Sequence, residues 1–564
     1  MNKLSKYLLV LGVALGLSAC VHNLDVTPND PNSIQYFDQD GVFSKIYATL
    51  ATTGQKGPDG DGDVEGIDEG VSAFVRMIFE LQEFPTDEGW WIWDGDAGLP
   101  DLRVISWTSV NPLVSGIYYR LYFDISLCNH FLEKADVSTE KGQAQAAEVR
   151  FIRALNYYYL LDMFGSVPFT TKVSSEAKPQ YTRQQLYTWL ETELKELETA
   201  LPAQRLSDYR VDKVAAQLLL ARLYLNAEVY TGTAQWAEAE RYADLVINSQ
   251  YKLHMTSTAG NYSAYQELFM GDNHLYIGGN SGEGILNIYQ DGIMTQCWGG
   301  ARFLCCAFRD QGYNYFGSSD TWSCFRTSPE FIAKWVDLDE ASMDTTYLND
   351  KGKTVKRHIA KPAYRQDEFH MPAVMNDDRA ILCGWKGNGA ADTLEMNGTM
   401  NNGTFYDCWS VLKWTGRYSI QAQDAPTNIA GHSNDWPDTD IPFLRVAEAY
   451  LTKAEAMGRQ GNWGSAKDLL NTTIRARAKA KPLETLDEDV MLDEWCREFY
   501  CEGRRRMDLV RFGQFAGPTA TRHWEGRGGA KSGAKVVSLD AKYNIFPLPQ
   551  SDVIVQGLKQ AEGY

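Results

Sequence analysis

A chain of 564 residues that is 44% hydrophobic has ample material for a sizeable core, and its net charge of -19 excludes a protein built to neutralise nucleic-acid phosphates. No Lys/Arg run forms a polybasic membrane patch. After the N-terminus, no apolar run reaches the roughly eighteen residues of a membrane-spanning helix.

Lys3 and Lys6 precede a short apolar stretch, residues 7–17, that Leu17-Ser18-Ala19-Cys20 closes. The stretch is too short to cross a bilayer and reads as a secretory signal. Small residues directly before a cysteine resemble a bacterial lipobox, so residues 1–19 are expected to be removed and Cys20 lipidated, with 20–40 as a tether. An ordinary signal with a chance cysteine is the alternative. Several acyl chains on one residue would hold the body firmly, because a single chain binds only marginally.

Asp59-x-Asp61-x-Asp63-x-Glu65 begins like a calcium loop but lacks glycine at its sixth position and glutamate at its twelfth. A solvated acidic loop is expected, with a looser structural calcium site as the alternative; no other metal and no cofactor is expected.

Residues 84–98 read Phe-Pro-Thr-Asp-Glu-Gly-Trp-Trp-Ile-Trp-Asp-Gly-Asp-Ala-Gly. Neither a strand nor a helix points Trp90, Trp91 and Trp93 to one face, and the surrounding glycines and aspartates oppose full burial. Two readings stand: the rings plug the body beneath the loop, or at least one forms a surface platform. A platform suits sugars, whose C–H faces stack on aromatic rings while neighbouring carboxylates accept hydroxyl protons. Loops on a rigid scaffold are where binding residues gather.

Helices are predicted near 117–135, over 141–163 with Ala147, Ala154, Tyr158 and Leu161 on one face, and over 211–226 with Val214, Leu218, Ala221 and Leu225. An internal echo follows. Ala221-Arg-Leu-Tyr224-Leu225 leads to Trp236-Ala-Glu-Ala239-x-x-x-Ala243, and Ala447-Glu-Ala-Tyr450-Leu451 leads to Trp463-Gly-Ser-Ala466-x-x-x-Leu470. Each is a helix, a Gly-containing turn and a second helix opened by Trp, the tetratricopeptide kind of hairpin that must stack on neighbours to bury its face. The fold class is therefore mainly α, a tetratricopeptide-like helical-repeat core with a large irregular, loop-rich insertion. The helical N-terminal part spans 41–254, the insertion 255–437 and the C-terminal repeat with its closing segment 438–564. The insertion is rich in Gly-Gly, Asn-Gly and Ser-Gly steps, and residues 543–549 read as an extended, proline-bounded segment.

Ten cysteines less Cys20 leave nine, with no Cys-x-x-Cys pair and eight scattered histidines, so no zinc site is expected. Buried free thiols and disulfides both remain open. Catalytic motifs are missing: Gly526-Arg-Gly-Gly-Ala-Lys-Ser532 carries alanine where a P-loop needs its second glycine, and neither Gly-x-Ser-x-Gly nor His-Glu-x-x-His occurs. Among 73 acidic residues, sequence alone singles out no glycosidase pair.

Several segments together resemble the SusD/RagB family of Bacteroidetes nutrient-uptake lipoproteins. They are the lipobox at Cys20; Thr53-Gly-Gln-Lys-Gly-Pro-Asp-Gly; Ile67-Asp-Glu-Gly; Leu81-Gln-Glu-Phe-Pro-Thr-Asp-Glu88; residues 150–168; residues 441–456; Glu498-Phe-Tyr-Cys-Glu502-Gly-Arg504-Arg-Arg-Met-Asp508; and the closing Asn544-Ile-Phe-Pro547-Leu-Pro549. The resemblance implies a non-enzymatic, outer-membrane, cell-surface protein, lipid-anchored through Cys20, that captures oligosaccharide or polysaccharide and acts as a hinged lid on a SusC-like TonB-dependent transporter. It places the ligand surface on the loop after Asp87-Glu88, hence Asp87, Trp90, Trp91 and Trp93, and in the insertion on Trp298, Tyr313, Tyr315, Phe316 and Trp322. Arg445, Glu448, Glu455, Glu498, Glu502, Arg504 and Asp508 are expected to be scaffold ion pairs. A peptide-capturing lid subunit and a surface glycoside hydrolase are the alternatives.

Overall fold

The computed structural model describes residues 37–60, 62–307, 317, 318, 322, 324–335, 342–348, 354–360, 377–383, 410–421, 435–524, 526, 527 and 539–564. Cys20, Asp61, Tyr313, Tyr315 and Phe316 lie outside them.

The helices begin where their caps dictate. α1 (Gln39–Ala51) is followed by α2 (Phe74–Glu83), strand β1 (Gly89–Trp91) and α3 (Pro112–Lys134). Asn111 caps α3 by accepting from the Leu113 and Val114 amides, with Pro112 at the first helical position. α4 (Glu140–Phe164) is capped by Thr139 and ends at Gly165, whose φ of 73° lets the chain reverse. α5 (Arg183–Ala200) opens with a capping box between Thr182 and Gln185.

The two hairpins read from the sequence are α6 (Lys213–Leu225) with α7 (Trp236–Ile247), and α9 (Ala447–Arg459) with α10 (Trp463–Thr472). In space they are neighbours: α7 packs directly on α9. Lys453 pairs with Asp244 at 2.6 Å, Gln460 donates to Glu240 at 2.8 Å, and the Arg459 guanidinium lies 4.9 Å from the Trp236 ring centre. Ala239, Ala243, Ala449 and Ala456 are fully buried, which allows this close approach. Gly458 is required for another reason: a Cβ there would sit 2.2 Å from the Trp463 ring.

The intervening chain leaves and returns through one antiparallel pairing. β2 (Gly284–Ile288) lies against β6 (Ile441–Arg445), with Ile288 opposite Ile441 and Gly284 opposite Arg445. Between them come α8 (Ala301–Cys306), β3 (Phe325–Thr327), and the hairpin β4 (Ser342–Leu348) and β5 (Thr354–Ala360). Ile285, Phe303 and Trp414 from this segment belong to the same apolar core as the helices on both sides.

α11 (Glu488–Phe499) and α12 (Arg505–Arg511) close the core with an ionic lattice. Arg445 reaches Glu498 at 2.7 Å, Glu283 at 3.0 Å and Glu502 at 2.8 Å, while Arg477 joins the same Glu498. Arg222 grips Glu448 with two bonds of 2.6 Å, Arg511 holds Glu455 with two of 2.9 Å, and Arg504 pairs with Asp508. Burial pushes the Glu498 pKa up, but Arg477, Arg445 and Arg379 outweigh it and hold the carboxyl down at about 2. All seven residues expected as scaffold therefore act as scaffold.

The cysteines Cys128, Cys297, Cys305, Cys306, Cys324, Cys496 and Cys501 are buried and free, which settles those seven as thiols. No helix among the described residues is long and apolar enough to cross a membrane.

Candidate functional site: an aromatic patch around Arg302

The tryptophan loop divides between interior and surface. β1 pairs antiparallel with β3, placing Trp90 opposite Arg326 and Trp91 opposite Phe325. At Gly89 a Cβ would lie 2.0 Å from the Arg326 carbonyl oxygen, so only glycine permits this approach. Trp91 stacks on Phe84 with 4.9 Å between ring centres and on Phe303 at 5.8 Å. Trp90 packs with Val104, and both tryptophans are only 3% exposed. Their expected place on the ligand surface is thus corrected: β3 and α8 close over one side of β1, and Val104 covers Trp90.

Asp87 is corrected in the same way. Its two oxygens accept from Arg505 Nε and Nη2 at 2.7 and 2.8 Å, and Lys334 adds an ion pair at 2.8 Å. Burial raises its pKa, but the Arg505 and Lys334 charges prevail and hold the carboxyl far below the usual carboxylate range. It is a structural anion with its acceptors engaged.

Trp93 is different. Past the last β1 bond, Ile92 N–H to Cys324 O at 2.8 Å, the chain turns outward and the Trp93 ring is 48% exposed over Gly95. Two ion pairs pin its loop, Asp94 to Arg103 at 2.8 Å and Asp96 to Arg76 at 3.0 Å.

In the insertion, Trp298, Trp322 and Trp436 come together, each half-buried. Trp298 lies 4.9 Å from Trp436 and 6.4 Å from Trp322, and the Arg302 guanidinium sits 4.7 Å from the Trp298 ring and 4.9 Å from Trp436. A cation over two rings fixes their orientation. Beside Trp436, Asp291 Oδ1 accepts from the Ile293, Met294 and Thr295 amides and shapes a turn that leaves Ile293 and Met294 exposed. Phe303 connects the two regions: it lies 6.3 Å from Trp322 and 5.8 Å from Trp91, and carries on its face the Arg76 that binds Asp96 of the Trp93 loop.

Trp298 and Trp322, expected from the resemblance, are thus brought together, and Trp93 is on the surface; Tyr313 and Tyr315 fall outside the described residues. Trp436 and Arg302 were not anticipated. The signal for Trp436 was present: Asn434-Asp435-Trp436-Pro437-Asp438 sets an aromatic among turn formers, as around Trp93. Asp63, in the acidic loop, is engaged by Lys45 at 2.7 Å and Arg120 at 3.5 Å. Among the described residues no three His, Cys, Asp or Glu side chains gather as metal ligands.

The fold is thus a helical-repeat scaffold whose surface carries exposed and half-exposed tryptophans, steadied by ion pairs and a cation. The chain belongs to the SusD family. The model described as "SusD family" matches residues 304–564, and one described as "Starch-binding associating with outer membrane" matches 101–225. The chain is 39% identical to the starch-binding protein SusD of Bacteroides thetaiotaomicron, over 99% of this chain and 98% of that one. Solved structures share the fold. A SusD-like protein from Bacteroides fragilis superposes with a TM-score of 0.64 at 18% identity, covering 93% of this chain and 96% of that one. Surface glycan-binding protein A from Bacteroides uniformis gives 0.60 at 19% identity, covering 93% and 98%.

Proposed function

We propose that this protein is a non-enzymatic, cell-surface glycan receptor that captures oligosaccharide by stacking sugar rings on Trp93, Trp298, Trp322 and Trp436, then passes it to a SusC-like TonB-dependent transporter. The observation that carries the reading is the grouping of Trp298 with Trp322 and Trp436, with Arg302 over Trp298 and Trp436, which leaves each ring partly open on a largely preformed surface. Starch-type α-glucan is the first ligand to test, because the relative with 39% identity is named a starch-binding protein. In this reading Cys20 supplies the lipid anchor in the outer membrane.

The test is affinity electrophoresis of residues 21–564 through gels carrying starch, other polysaccharides or none, beside Trp298→Ala and Trp436→Ala variants. Retardation by one glycan, reduced in both variants with melting temperature unchanged, supports the proposal. Mobility that no polysaccharide alters overturns it as stated and favours a peptide cargo.

A further inference from the structure

A second site, distinct from the tryptophan patch, lies where the end of α4, the start of α5 and the closing segment meet. A cavity of about 440 Å³ opens there, lined among others by Arg183, Lys559, Gln180, Thr182, Gln560 and Ser166. Its size falls within the range of small-molecule sites, roughly 300–1,000 Å³.

The neutral polar groups of the wall are engaged in building it. Gln180 donates to the Lys559 carbonyl at 2.9 Å and accepts its amide at 2.8 Å. Gln560 does the same with Leu548, both at 2.8 Å. Ser166 donates to Tyr181 O, and Thr182 accepts from the Gln185 amide.

The charges are not balanced in this way. Arg183 donates to two carbonyls, Val229 O at 3.1 Å and Asp162 O at 3.5 Å, lies 5.0 Å from the Tyr230 ring centre, and its Nε has no acceptor. Arg506, 1% exposed, donates to the Tyr543 and Asn544 carbonyls, and its Nε is likewise without an acceptor. Among the described residues neither arginine, nor Lys559, has a carboxylate within ion-pair distance. Asp162 is the carboxylate whose field both arginines feel, and its oxygens accept from Gln82 and Tyr230. Arg222, Arg445, Arg477, Arg504, Arg505 and Arg511, in contrast, are each fixed on at least one carboxylate. Arg183 and Lys559 are the two cations in the wall, with Arg506 buried outside the lining, and in a chain of net charge -19 no carboxylate belongs to that wall. Burial lowers the pKa of both arginines, that of Arg506 to about 10, and the charge of Asp162 offsets this only in part.

We propose that this cavity binds a sugar-sized molecule bearing one oxyanion group, with Arg183 and Lys559 supplying the counter-charge. A sugar acid and free phosphate share that chemistry, and the experiment separates them.

Calorimetric titration of the whole chain with sodium glucuronate, sodium phosphate and glucose is the test, repeated on Arg183→Met and Lys559→Met. Saturable binding of glucuronate is expected, weakened by added salt and by roughly ten-fold or more in Arg183→Met. Glucuronate binding tighter than phosphate assigns a sugar acid; equal binding assigns the bare anion. The proposal is overturned if neither anion binds, if glucose binds as well as glucuronate, or if both variants bind like the parent. Lys559 is exposed, so its variant keeps the test decisive should Arg183→Met fail to fold. Neither side chain belongs to the tryptophan patch, so starch retardation is expected to be unchanged in both variants, and failure here is separable from failure of the glycan reading.

Discussion

Asp87 and Arg505 meet in a two-bond ion pair, 2.7 and 2.8 Å, across a separation of 418 residues. The pair ties the start of the tryptophan loop to α12, and Lys334 completes it. Asp87→Asn leaves two buried cations without their anion and is expected to lower unfolding free energy by ~3–5 kcal/mol in urea titration. The folded carboxyl ionises far below the unfolded value of about 3.9, so its contribution is fully present above that pH and is lost as pH falls from there toward the folded pKa. The parent should therefore lose stability between about pH 5 and 2 more steeply than the variant. An equal acid slope in the two proteins would refute the assignment.

Trp91 and Trp93 stand two positions apart and are expected to fail differently. Trp91→Ala empties a stack between Phe84 and Phe303 and should cost ~3–5 kcal/mol of stability. Trp93→Ala removes a half-exposed ring and should leave the melting temperature nearly unchanged. Its glycan affinity should fall by roughly ten-fold, the ~1.4 kcal/mol at the upper end for one aromatic stack. Thermal melts and affinity electrophoresis on the two single variants measure both. Loss of stability in Trp93→Ala equal to that in Trp91→Ala would remove Trp93 from the surface.

This contrast shows where sequence reasoning stops. The helices α4 and α6 were legible because their apolar period and caps are local, and the two hairpins because Trp236 and Trp463 follow the same alanine-rich helix. The family motifs rich in charge were legible as scaffold because so many acidic and basic residues on helices must find each other to be buried. Trp90, Trp91 and Asp87 were misplaced because what covers them is remote in sequence: β3 pairs with β1 from residues 325–327, and Arg505 arrives from the far end. Gly89, Asp94 and Gly95 signal a turn correctly, yet a turn can begin on a buried strand. Trp436 and Arg302 went unread because a cluster assembled from separate loops has no period to detect.

Gly458 offers a case in which a helix-favouring change should harm the protein. Glycine to alanine in a helix interior normally gains up to ~1 kcal/mol. Here the added Cβ would fall 2.2 Å from the Trp463 ring that begins α10. Gly458→Ala is expected instead to cost ~1–3 kcal/mol, as overpacking does, by prising the second hairpin open. Chemical denaturation gives the sign directly. A stabilised variant would mean that Trp463 is free to move aside, and a Gly458→Ala, Trp463→Ala double variant should recover the propensity gain if the clash is the cause.

Glu88 and Glu83 form a buried acid pair behind the tryptophan loop. Glu83 Oε1 accepts the Gly503 and Arg504 amides at 2.6 and 3.0 Å, while Glu83 Oε2 has no other donor in reach. Glu88 accepts the Cys501 amide at 3.0 Å. Burial, reinforced by the negative charge of Glu83, pushes the Glu88 pKa well up, which favours a proton on Glu88 directed at Glu83. A carboxyl whose folded pKa is raised contributes stability that is full below the unfolded value of about 4.3 and is lost as pH rises through the folded one. Glu88→Gln replaces the protonated acid with a neutral group of the same shape, removing that loss. Melting temperatures taken from about pH 5 to 9 should show the parent falling relative to Glu88→Gln as pH rises. Parallel curves would mean that Glu88 is ionised throughout, and the shared proton would have to be abandoned.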